Sequence, residues 1–164
     1  KRKKLKKGNY EVNIKSKFIK GHMNYGEIFF KGRRKKEILL STYICHPSMA
    51  NDGLSGIAVL TFIAKFISKM RNRKFSYRIV FAPETIGSIA FMNKNINNLK
   101  KNVYAGFNVT CIGDNRSYSY LPTRNGSTIS DEIAKHVLLQ KDKNFKKYLW
   151  KTSNYLDNTS CKDD

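Results

Sequence analysis

The chain has 164 residues, 40% of them hydrophobic, which suits one domain with a real core and excludes a chain disordered throughout. Its 32 Lys and Arg against 12 Asp and Glu leave a formal charge of +20, enough to attract polyanions whether or not binding them is the function. No uninterrupted apolar run approaches the roughly 18 residues that span a bilayer, and the basic start lacks the apolar core of a signal peptide, so a cytoplasmic protein with no membrane partner is expected.

The basic residues are mostly Lys, occur in nearly every segment and accompany many Asn, as in Asn93 to Asn98, a picture that biased codon usage also produces. Aromatics do not interleave with Arg in a recognisable reading surface, so any polyanion binding is expected to be non-specific. The dense cluster over the first seven residues reads as a solvated terminus. Cys45, Cys111 and Cys161 form no CxxC pair, and two of them end apolar runs, so buried free thiols are expected rather than disulfides.

In chain order, Tyr10 to Phe18 alternates apolar and polar residues as a half-buried strand does, and Tyr25 to Phe30 reads as its antiparallel partner after a turn at Gly21 to Asn24. Glu37 to Cys45 is apolar and β-branched on both faces, the composition of a central parallel strand. Leu54 to Met70 carries Leu54, Ile57, Leu60, Ile63, Ala64 and Ile67 near the spacing of an amphipathic helix. Ser76 to Ala82 is the next strand, stopped by Pro83, and Ile86 to Asn93 a short helix. Val103 to Ile112 is a further strand. Tyr118 to Thr123 follows as an edge strand, Asp131 to Gln140 as a helix capped by Ser130, and Phe145 to Lys151 as a last strand. Alternating strands and helices of these lengths predict a mostly parallel α/β sheet.

The loop from Cys45 to Gly56 joins a strand to a helix, at the edge where open α/β sheets place their ligands. His46 there is a good zinc ligand through a neutral imidazole, held on a loop stiffened by Pro47; alone, it would equally serve as a structural histidine. Asp52 is a second candidate ligand, and a helix-capping carboxylate is the bland alternative. Glu84 follows the neighbouring strand, and parallel neighbours bring their ends to one edge. A carboxylate beside a metal suits a general base for hydrolysis, although a helix N-terminal acid would look the same.

Ser41 to Gly56 and Tyr77 to Ile89, with Thr110 to Asp114 and Tyr118 to Gly126, resemble the bacterial aminopeptidase-like domain family associated with polysaccharide biosynthesis. The chain is more distantly similar to zinc aminopeptidases of the leucyl-aminopeptidase type. The resemblance implies a three-layer phosphorylase/hydrolase-like sandwich with a mostly parallel mixed sheet. By position, His46 matches the first metal-binding histidine, Asp52 the aspartate that bridges two metals, and Glu84 the general base. Thr85 replaces a metal-binding glutamate, Thr110 a ligand aspartate, and Ser48 the aspartate that orients the histidine, which implies one zinc ion rather than two.

Residues 1–32 are expected to form a basic tail and the antiparallel strand pair, and residues 33–164 an aminopeptidase-like α/β domain truncated at both ends, with a completing histidine ligand beyond it. His22 and His136 are not convincing replacements. The leading expectation is a metal-dependent peptidase- or amidase-like hydrolase domain, incomplete and inactive by itself, acting on a peptide or amide-containing small substrate and able to form a homo-oligomer. The alternatives are a non-catalytic remnant used for binding or assembly, and a polyanion- or nucleic-acid-binding module.

Overall fold

The computed structural model describes residues 7–46, 48–113 and 115–147; the second half of the expected strand Phe145 to Lys151, Cys161, Pro47 and Asp114 lie outside them. Strands β1 (Gly26–Phe30), β2 (Glu37–Tyr43), β3 (Ser76–Ala82) and β4 (Val103–Asn108) form one sheet in the order β1-β3-β2-β4. Strands β2, β3 and β4 run parallel, and β1 lies antiparallel on β3. The helices are α1 (Ser55–Lys69), α2 (Ile86–Asn102) and α3 (Ile129–Lys141), and two short parallel strands, β5 (Ser119–Tyr120) and β6 (Lys146–Lys147), pair outside the main sheet.

Strand residues alternate between faces, and the core follows that alternation. On one face Ile79 and Leu40 meet Leu60, Ala64 and Ile67 of α1. On the other, Val80, Ala82 and Leu39 meet Phe91 and Leu99 of α2. Helices therefore cover both faces, as the right-handed crossovers of a parallel sheet require. Ala50–Lys69 is long and apolar enough by composition to cross a membrane, yet its Leu60, Ala64 and Ile67 stripe is packed on the sheet as in a core helix. Arg78 on β3 donates to buried Glu37 of β2 and to Glu27 of β1, tying three strands together.

The expected strand Tyr10 to Phe18 is not formed. Its residues are exposed and without regular structure, and β1 takes β3 as its antiparallel partner instead. A lone two-stranded pair is marginal in water, whereas β3 offers an edge already fixed by β2. Helix α2 runs past Asn93 to Asn102 despite its low-propensity Asn residues. Burial of Phe91 and Leu99 holds it, with Asn95 donating to the Phe91 carbonyl at 2.9 Å. The N-cap of α3 is Thr128 rather than Ser130, whose hydroxyl accepts from Gly106 N–H at 3.0 Å and so ties α3 to β4. Strand β4 stops at Asn108 because the chain then turns towards the start of α1, where Ile112 N–H meets Ser55 Oγ at 3.1 Å.

That junction depends on Gly56. A Cβ there would lie 2.3 Å from Thr42 Oγ1 and 2.4 Å from the Val109 carbonyl oxygen, so the first turn of α1 touches the sheet with no room for a side chain. Gly56→Ala is expected to destabilise the fold by about 3 kcal/mol through overpacking, read as a lower midpoint in urea at unchanged slope. An unchanged midpoint would mean that the contact relaxes freely.

Candidate metal centre

The register between β2 and β3 sets Tyr43 opposite Ala82, so the two strands end level. Ile44 N–H still bonds the Ala82 carbonyl at 3.2 Å, and beyond it both chains turn into loops. Here Cys45, His46 and Glu84 converge, their donor atoms all within 4.8 Å of one another. His46 Nε2 lies 3.8 Å from Glu84 Oε2, and Cys45 Sγ lies 3.2 Å from His46 Nδ1 and 3.9 Å from the same carboxylate oxygen. Glu84 N–H donates to the sulfur at 3.3 Å. Half of the Glu84 side chain and about a third of the His46 side chain face solvent, so the cluster is open to a ligand.

Asp52 stands apart from this cluster. The Tyr43 hydroxyl donates to its Oδ1, Cys111 Sγ approaches the same oxygen at 3.6 Å, and Thr110 Oγ1 donates to the tyrosine at 2.6 Å. The ring of Tyr43 meets that of His46 edge-on at 5.5 Å, so one side chain links the imidazole to the carboxylate. Asp52 sits where the backbone breaks from helical geometry, and Gly53 next to it has φ 110°, a conformation open to glycine at little cost. A Cβ on Gly53 would also approach the His46 carbonyl oxygen to 3.2 Å.

Two non-glycine residues among those described adopt left-handed backbone, and both border the site: Thr85 at φ 56° follows Glu84, and Cys111 at φ 51° touches Asp52. For a β-branched residue this conformation costs on the order of 1–3 kcal/mol, a strain that concentrates where a neighbouring group must be aimed.

Cys45 is exposed and Cys111 half-buried, so the expectation of buried thiols fails at Cys45 and holds only partly at Cys111; Cys161 lies outside the described residues. Both thiols are drawn out of the core because the chain leaves the sheet before reaching them. The other histidines stay away: His22 is in the exposed stretch before β1, and His136 on α3 pairs with Gln140 at 3.0 Å.

The donor chemistry fits a transition metal. With bonds of about 2.0–2.1 Å to nitrogen and about 2.3 Å to sulfur, tetrahedral ligand atoms stand roughly 3.3–3.8 Å apart. At 3.2 Å, Cys45 Sγ and His46 Nδ1 need an adjustment of only a few tenths of an ångström to share an ion, while Glu84 Oε2 approaches the opposite ring nitrogen, Nε2, at 3.8 Å. A shallow hollow among Phe62, Lys65, Phe66 and Lys69 lies towards the other end of α1 and gathers no such groups.

A family model described as Domain of unknown function (DUF4910) matches residues 8–162. A Clostridium acetobutylicum protein named "Putative polysaccharide biosynthesis protein with aminopeptidase-like domain" is 48% identical over 131 residues, covering 80% of this chain and 30% of that protein. The crystal structure of a "putative peptidase" from Clostridium acetobutylicum is similar with a TM-score of 0.73 at 45% identity, covering 77% of this chain and 30% of that one. A glutaminyl cyclase from an Acidobacteriales bacterium shares the fold with a TM-score of 0.60 at 18% identity, over 81% of this chain and 54% of that one. The chain thus spans 30% of the length of the two Clostridium proteins it matches.

Proposed function

The chain belongs to the family described as Domain of unknown function (DUF4910), and from that premise we propose that it carries the metal-binding part of a peptidase- or amidase-like hydrolase. The observation that supports this reading most is the convergence of His46 and Glu84 at the level ends of two parallel strands. The peptidase-like names of its relatives agree with that chemistry, and the Clostridium protein's name extends the proposal to polysaccharide biosynthesis. Helices on both faces of the sheet suit the three-layer phosphorylase/hydrolase-like sandwich that the proposal assumes.

In this reading His46 would hold one zinc ion, and Asp52, which the Tyr43 ring contact and hydrogen bond link to the imidazole, would join it as a second ligand by shifting towards the cluster. Bound zinc supplies a Lewis acid that polarises the carbonyl oxygen of a peptide or amide substrate. Glu84 takes the proton of the attacking water and returns it to the departing amine, a role open to a carboxylate that is half exposed and within reach of the donors.

Glu84→Gln keeps shape and volume but removes the base. In a zinc-loaded protein that carries this domain together with the rest of the enzyme, turnover of an aminoacyl anilide is expected to fall by about 10²–10⁴-fold while bound zinc stays the same. Metal analysis after growth with added zinc decides the prior question, and a protein that retains no metal would overturn the reading.

A further inference from the structure

We propose that Cys45 is itself a metal ligand, a thiolate standing beside His46, and that it makes the site selective for zinc over magnesium or manganese. The inference rests on the metal-binding reading above, but it concerns a residue that a His, Asp and Glu ligand set leaves out.

Neighbouring side chains on a strand point to opposite faces, so Cys45 and His46 would diverge if β2 continued. Strand β2 ends at Tyr43, and past Ile44 the chain turns so that sulfur and imidazole meet at 3.2 Å. The sulfur is also 3.9 Å from Glu84 Oε2 and accepts the Glu84 N–H at 3.3 Å, which fixes it over the end of β3. It is therefore held by both loops of the crevice. Cys45 is exposed, so reaching an ion needs no opening of the core. Sulfur and imidazole donors favour zinc, whereas magnesium and manganese prefer all-oxygen sites.

Cobalt reports what zinc cannot, because zinc has a filled d shell and is spectroscopically silent. Titrating the 164-residue chain with Co²⁺ is expected to raise a near-ultraviolet thiolate-to-cobalt charge-transfer band that saturates at one equivalent. Cys45→Ser should abolish the band and weaken cobalt binding by roughly 10–100-fold or more, on the scale set by loss of residues that support a site. Cys111→Ser and Cys161→Ser should leave the band in place. As an independent readout, zinc should shield Cys45 from iodoacetamide in the parent chain but not in His46→Ala.

Cobalt bound without the band, or a band that survives Cys45→Ser, overturns the proposal and leaves the hydrolase reading standing. A chain that binds neither cobalt nor zinc overturns both.

Discussion

His46→Ala is expected to strip the protein of zinc while leaving the fold intact. Among the described residues no other imidazole can take its place, since His22 sits in the exposed stretch before β1 and His136 is engaged by Gln140 on α3. Oxygen and sulfur donors alone would remain. The loss in affinity should exceed the roughly 100-fold that removing a supporting outer residue costs. Because the side chain lies on a loop and is 31% exposed, its truncation opens no core cavity, and far-UV circular dichroism should not change. The measurement is zinc per chain after dialysis against a weak chelator; equal zinc in parent and variant would remove His46 from the ligand set.

Asp131→Ala should produce the largest loss of stability. This carboxylate is fully buried, and one oxygen accepts from the Tyr120 hydroxyl and from Thr123 N–H at 2.7 Å. The other accepts from Thr123 Oγ1 at 2.6 Å, Thr128 N–H at 2.8 Å and Thr128 Oγ1 at 2.7 Å. Removing the acceptor strands these donors and breaks the capping box of α3, at a cost of about 3–5 kcal/mol. A midpoint lowered by roughly 10 °C follows for a chain of this size.

The same residue gives the fold an acid limit. Burial pushes the Asp131 carboxyl up, but hydrogen bonds from Thr123, Tyr120 and Thr128 outweigh it and hold the group well below the usual carboxylate range. The folded protein thus binds this proton less readily than the unfolded chain. Its stabilisation is complete above about pH 4, the unfolded value, and drains away as the pH falls below it. Asp131→Asn, which keeps the shape without the charge, should flatten the decline in unfolding midpoint between pH 5 and pH 3, and an unchanged decline would assign the acid limit to other groups. Tyr120 is shifted the opposite way, upward, by burial and then by its bond to Asp131, so its contribution weakens only above about pH 10.

Periodicity made the central elements readable. Strands β2 and β3 and helix α1 carry strong patterns because both faces of the sheet are buried, and a parallel pair with level ends necessarily brings the residues after Tyr43 and Ala82 to one edge. The alternation of Tyr10 to Phe18 misleads because a pattern states which face a strand would bury without saying which edge will accept it. Cys45 looks like a core thiol because it closes an apolar run, and nothing local shows that the strand stops two residues earlier. The link from Tyr43 to Asp52 and Cys111 spans separations of 9 and 68 residues, and only the closed sheet assembles it. Thr128 and Ser130 are both good caps by composition; the choice falls to Thr128 because Ser130 is claimed by the backbone of β4.

The strand order carries one more consequence. Strands β2 and β3 are the two inner members of the sheet, each hydrogen-bonded along both flanks, while β1 and β4 have one bonded flank in it. Fraying begins where fewest bonds must break, so the outer strands can open and reclose while the inner pair stays zipped. His46 and Glu84 hang from that inner pair. Their spacing is therefore insulated from breathing at the margins, and the ligand-holding geometry should persist until the whole sheet comes apart.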